Sequence, residues 1–238
     1  MMKRALILCA VLSFVVGGVA QVWAADNELT EQEKKEGWIL LFDGKSYDGW
    51  ICNNGKPVAS PIEDGCMQPY KSGGYVVIYK KPFCDFVLKC DVKMSDPCNS
   101  GIFFRIEDPK NPVHTGFEVQ VATGDGTTCH DFGALYDIVP LKKNAAKKPG
   151  EWNHVEIRAE GPNISVKVNG ELVCEMNCDE FDEPGERAIP GDHKFQLNGQ
   201  KRAIKDFARC GYLGFQDHGH PVWYKNVKLL PLDKQEKK

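Results

Sequence analysis

The stretch WNHVEIRAEGPNISVKVNG, Trp152 to Gly170, decides the fold class. Val155 and Ile157 alternate with Glu156 and Arg158. After Gly161-Pro162-Asn163, the residues Ile164, Val166 and Val168 alternate with Ser165 and Lys167. A period of two describes a strand with one buried and one wet face, and two such runs joined by a short turn segment predict a hairpin. Asn169-Gly170 then supplies a tight turn into Glu171-Leu-Val-Cys174.

Working outward, short strand-like runs recur between Gly, Pro and Asn punctuation: Trp38 to Phe42, Tyr75 to Tyr79, Phe86 to Met94, Gly101 to Ile106 and Phe117 to Ala122. Near the C-terminus, Tyr212 to Gln216 and Val222 to Leu230 flank the turn Asp217-His218-Gly219-His220-Pro221, and the economical reading of this pair is a second hairpin. Helical periodicity is confined to one place, where Thr30 and Glu33 form a capping-box pattern opening a short helix to about Glu36. Many short strands and dense turn signals predict an all-β, two-sheet antiparallel sandwich of the jelly-roll kind. One domain spanning residues 25–238 is expected, since neither a repeat nor a change of composition divides the chain.

Residues 1–24 read as an export signal. Lys3-Arg4 provide the positive start, Ala5 to Ala20 the apolar run and Val22-Trp23-Ala24 the cleavage site. The expected location is therefore periplasmic or extracellular. The formal net charge of −3 and pI near 6.1 provide no polycationic surface, so nucleic acid and, after signal cleavage, membrane are not expected partners. Ten cysteines are present, and Cys9 lies inside the leader. Cys52, Cys66, Cys84, Cys90, Cys98, Cys129, Cys174, Cys178 and Cys210 remain, an odd set in which export predicts some disulfide pairing and at least one unpaired thiol. Their spacing contains no zinc pattern. Cys90 keeps the period of Phe86, Leu88, Val92 and Met94, and is expected in the core as a thiol.

Several polar residues break the apolar pattern of the strands. In Gly101 to Ile106, alternation puts Arg105 on the face of Gly101 and Phe103; in Phe117 to Val121, Glu118 and Gln120 share one face. Gln216, Asp217 and His218 crowd the end of one strand and its turn, and Tyr136-Asp137 sit in a Gly-rich loop. Each has a plain structural reading: a rim ion pair for Arg105, solvated positions for Glu118 and Gln120, a core hydroxyl for Tyr136, a turn cap for His218. His114, His130, His154 and His193 show no metal-site spacing and read as surface residues; His220 ranks below His218.

A family resemblance sharpens this. Leu41-Phe-Asp-Gly-Lys45 with Asp48-Gly-Trp50, Asn99-Ser-Gly-Ile-Phe-Phe-Arg105, Gly116-Phe-Glu-Val-Gln120, Gly133-Ala-Leu-Tyr-Asp137, Lys148-Pro-Gly-Glu-Trp-Asn153 and Gly211 through Asn226 run in the order seen in 3-keto-disaccharide hydrolases. The chain resembles that family, which implies a concanavalin A-like jelly roll acting on 3-keto glycosides. A ketone at C3 acidifies the C2 proton, so a base can remove it, an enolate forms and the C1 aglycone leaves. An ordinary glycosidase instead works with two carboxylates across the bond. On the resemblance, the catalytic candidates are Glu118 or His218 as base and Arg105 as charge stabiliser, while Gln120, Tyr136, Gln216 and Asp217 bind the sugar. No cofactor is implied with certainty, although a divalent metal ion held by Glu118, Asp217 or His218 would also stabilise an enolate. Two other classes stay open, a non-catalytic carbohydrate-binding module and a structural interaction domain, and the sequence does not set the oligomeric state.

Overall fold

The computed structural model describes residues 25–184, 196–197 and 200–233. The expected leader and His193 lie outside them. Its strands are β1 (Ile39–Leu40), β2 (Trp50–Cys52), β3 (Val76–Tyr79), β4 (Phe86–Met94), β5 (Asn99–Ile106), β6 (Phe117–Ala122), β7 (Trp152–Glu160), β8 (Asn163–Val168), β9 (Glu171–Asn177), β10 (Gln196–Leu197), β11 (Gln200–Lys201), β12 (Tyr212–Gln216) and β13 (Val222–Pro231). Antiparallel pairing makes a six-stranded sheet, β1-β13-β4-β7-β8-β9, and a five-stranded sheet, β2-β3-β12-β5-β6, with β10 and β11 paired separately. Among the described residues helices are few: α1 (Glu31–Glu36), α2 (Pro112–Thr115) and two single 3-10 turns. The expected all-β sandwich is what the chain forms.

The two sheets meet over one apolar layer. Leu88, Cys90 and Val92 of β4 and Val155 and Ile157 of β7 face Val77, Ile102, Phe104, Val119 and Phe215 of the other sheet. Each such side chain removed from water contributes about 1.5–3 kcal/mol, which is why the period-two pattern fixed which face turned inward. Cys90 is fully buried as a free thiol, and burial pushes that thiol well above its ordinary pKa. The hairpin β7–β8 closes with Glu160 opposite Asn163, and Asn169 and Gly170 both take positive φ, 53° and 84°, as a two-residue turn of this hand requires. At α1 the capping box is complete, with Thr30 Oγ1 accepting from the Glu33 amide and Glu33 Oε2 from the Thr30 amide.

The C-terminal hairpin is a correction. β12 pairs with β3 and β5, whereas β13 pairs with β1 and β4, so the turn at 217–221 carries the chain from one sheet to the other. β13 buries alternate residues and β12 nearly all of its own, and the rings of Phe215 and Tyr224 stack across the layer with centroids 4.2 Å apart. Period-two alternation reports burial. It does not report which strand supplies the hydrogen bonds.

One disulfide joins Cys84 to Cys210, 126 residues apart, tying the entry of β4 to the entry of β12. The other seven cysteines from Cys52 onward are buried free thiols. A cross-link closing so long a loop stabilises by roughly 2–5 kcal/mol. Cys84→Ser is therefore expected to lower the unfolding free energy by about that amount, measured in urea. Thiol titration of the denatured, unreduced protein checks the pairing: a reactive Cys84 or Cys210 would refute it.

Candidate active site

The site forms on the outer face of the five-stranded sheet, the face turned away from the other sheet. There Val76, Ile78, Phe103 and Ile106 make a second apolar cluster with Val113 and Tyr212, and α2 packs on β5 and neighbours β10. Consequently the central strands are buried on both sides: every residue from Ser100 to Ile106 and from Leu213 to Gln216 is buried. Polar side chains placed in such a setting must satisfy one another or a ligand.

Register places three of them around one bare spot. Phe103 lies opposite Glu118 and Gly101 opposite Gln120, while Phe215 opposite Ile102 puts Gln216 beside Gly101 on its other flank. A Cβ at Gly101 would stand 2.3 Å from Glu118 Oε1, so the carboxylate lies flat over the glycine. Glu118, Gln120 and Gln216 are 3%, 4% and 3% exposed, which leaves water little part in solvating them. Gln120 Nε2 donates to Asn99 Oδ1 at 3.2 Å and Gln216 Nε2 to the Tyr75 hydroxyl at 2.7 Å. The Oε1 atoms of both glutamines are buried without a partner among the described residues. An unmet buried acceptor costs about 1–3 kcal/mol, and a ligand hydroxyl donating to it recovers that cost.

Two tyrosines flank this centre. Tyr136 lies next to Glu118 along the backbone, its amide donating to the Glu118 carbonyl at 2.9 Å, and its ring is 5.0 Å from that of His130. His130 Nε2 in turn stands 3.6 Å from the buried carboxylate of Asp137, which adopts φ 63°. On the opposite side, Tyr75 precedes β3. Burial first, and then the negative charge of Glu118, push its phenol up to about 12.

The remaining candidates separate. Arg105 does not face Glu118. β5 carries a bulge against β12 between Gly214 and Tyr212, Arg105 sits at φ 51° on it, and the alternation shifts so that Ile106, not Arg105, joins Phe103 on the outer face. The guanidinium instead donates to the Cys84 and Gly161 carbonyls at 3.1 and 2.9 Å and pairs with Asp85 at 2.9 Å, its side chain fully buried. Strict period-two counting across a bulge put it on the wrong face. Asp217 has both oxygens engaged, by the Lys71 amide at 2.7 Å and the Gly219 amide at 2.9 Å, so it ties the turn together. His218 is exposed at the rim, its ring 6.4 Å from that of Tyr75. Glu118, Asp217 and His218 therefore do not converge as a metal-ligand set, and no other trio of His, Cys, Asp or Glu does so among the described residues. Tyr75 and Asn99 were missed: Tyr75 heads an apolar run and reads as a strand residue, and Asn99 reads as turn punctuation.

A buried carboxylate and two glutamine amides on one face of an antiparallel sandwich make a preformed polar site, and the fold leaves its chemistry open. The chain belongs to the 3-keto-alpha-glucoside-1,2-lyase-like domain family, whose model matches residues 37–230. It is 28% identical over 233 residues to the 3-keto-disaccharide hydrolase of Bacteroides thetaiotaomicron, spanning 83% of this chain and 79% of the relative. A solved Parabacteroides distasonis structure described as a glycosyl hydrolase superposes with a TM-score of 0.70 at 28% identity, covering 88% of this chain and 100% of the other. A second structure so described from that organism, at 24% identity and TM-score 0.65, covers 82% and 99% and shares the fold.

Proposed function

We propose that this chain is a carbohydrate-active enzyme that cleaves glycosides carrying a ketone at C3. The observation that carries the reading is the convergence of Glu118, Gln120 and Gln216 over Gly101, in an apolar setting, with two glutamine carbonyls awaiting donors. Sugar hydroxyls are such donors. Glu118 takes the C2 proton as the electron pair of that C–H bond passes into the C3 carbonyl. The enolate then expels the C1 substituent with the C1–O pair, and that oxygen acquires a proton. Water added across the resulting C1–C2 double bond completes hydrolysis; release before that addition makes the same step a lyase reaction. The name of the Bacteroides thetaiotaomicron relative and the family membership support this substrate class.

A carbohydrate-binding module would hold a sugar and leave it intact. The test is incubation with 3-keto-trehalose or 3-keto-lactose beside the unoxidised sugars, with released monosaccharide measured. Release of glucose, the expelled C1 substituent in both cases, from the keto sugars alone is the expected result. Equal cleavage of the unoxidised sugars, or none of either, would overturn the reading.

A further inference from the structure

Among the described residues, the polar groups that meet over Gly101 are chiefly acceptors. Glu118 contributes a carboxylate, Gln120 and Gln216 contribute buried carbonyl oxygens, and each Nε2 already spends one N–H, on Asn99 and on Tyr75. Arg105, the obvious cation of the sequence, is turned away onto Asp85. A C2 proton abstraction nevertheless concentrates negative charge on the C3 oxygen, and that charge calls for a donor fixed in advance.

Resting on the reading just given, we infer that the hydroxyl of Tyr75 donates to the C3 oxygen of the substrate as it changes from ketone to enolate. Gln216 fixes that hydroxyl: its Nε2 donates to the Tyr75 oxygen at 2.7 Å, so the phenolic hydrogen points elsewhere. The backbone around Tyr75 is anchored from two directions, its amide donating to Asn53 Oδ1 at 3.0 Å and its carbonyl accepting from the Asp217 amide at 2.9 Å. Asp217 thus serves the site through the main chain. Tyr75 is also one of the two large hydrophobic residues exposed among the described residues, at 38%, so its ring is open to a ligand while its hydroxyl reaches the buried amide.

The spacing suits the chemistry. Glu118 extends over β5 at Gly101, and the Tyr75 hydroxyl meets Gln216 on β12, the next strand, about 4.8 Å away in a sheet. The C2 hydrogen and the C3 oxygen sit on adjacent carbons, so a base and a donor each within about 3 Å of its target stand roughly one strand apart. Burial, and after it the charge of Glu118, keep the phenol neutral up to about pH 12, so it retains its hydrogen for donation.

The test compares wild type, Tyr75→Phe and Tyr136→Phe on a 3-keto glycoside, with exchange of the C2 hydrogen into deuterium oxide as a second readout. Tyr75→Phe is expected to lower kcat and C2 exchange ~10²-fold, as loss of one oxyanion donor does, with KM changed only a few-fold. Unchanged kcat with raised KM would make Tyr75 a binding surface only and overturn the inference, as would a kcat loss confined to Tyr136→Phe. If Tyr75→Phe unfolds, site-specific 3-fluorotyrosine at position 75 keeps the shape and lowers the phenol pKa, and an unaltered kcat would then be the overturning result. A wild type with neither turnover nor exchange overturns the functional reading along with this one; an active wild type matched by Tyr75→Phe overturns this one alone.

Discussion

Glu118→Gln is expected to lower turnover of a 3-keto glycoside by ~10²-fold or more, the usual consequence of losing a positioned proton acceptor. The substitution is nearly isosteric, so the amide can lie over Gly101 as the carboxylate does, and Phe103 stays covered. Its charge and basicity are gone. Because the shape of the side chain is kept, the fold is expected to hold. Steady-state kinetics with circular dichroism separates the two effects. Full activity in the glutamine variant would remove Glu118 from the role of base.

Arg105→Ala is expected to act on the other side of the sheet and on a different quantity. The guanidinium is completely buried, donates to two carbonyls and pairs with Asp85, which also accepts from the Gly161 amide at 2.9 Å. Deleting one member of a buried pair strands the others, a loss of about 3–5 kcal/mol, or roughly 10 °C in Tm for a chain of this size. The fraction that remains folded should turn over substrate at the wild-type kcat. A stable variant with kcat reduced as in Glu118→Gln would return Arg105 to the site.

These two residues show how far the sequence could be read. Alternation along β6 placed Glu118 and Gln120 together on one face because β6 pairs with β5 without interruption. The same rule failed at Arg105 because a bulge adds one residue, and nothing in Phe103-Phe-Arg-Ile106 announces it except the glycine at 211. A Cβ there would sit 2.4 Å from the Arg105 carbonyl carbon, and that requirement is visible only in three dimensions. Most of the longer strands were legible to within a few residues, since burial writes a local pattern, whereas the short β2, β10 and β11 were not read as strands. Pairing does not, and so β12 and β13 passed for a hairpin. Tyr75 escaped for a related reason: an aromatic at the head of Val76-Val-Ile78 looks like one more strand residue, and its meaning depends on Gln216, 141 positions away.

Gly101 has a consequence for how this surface can drift over generations. Every single-base change that replaces the glycine by another amino acid introduces a side chain with a β-carbon, and at this position any β-carbon meets the Glu118 carboxylate. Neighbouring apolar positions have conservative alternatives one mutation away, because valine, isoleucine and leucine differ by little in volume. Position 101 has none. Lineages that keep the chemistry must keep this glycine, whereas lineages that lose it by one base have already displaced the carboxylate, so that the catalytic and merely sugar-binding descendants of such a sandwich would be expected to part at this codon first.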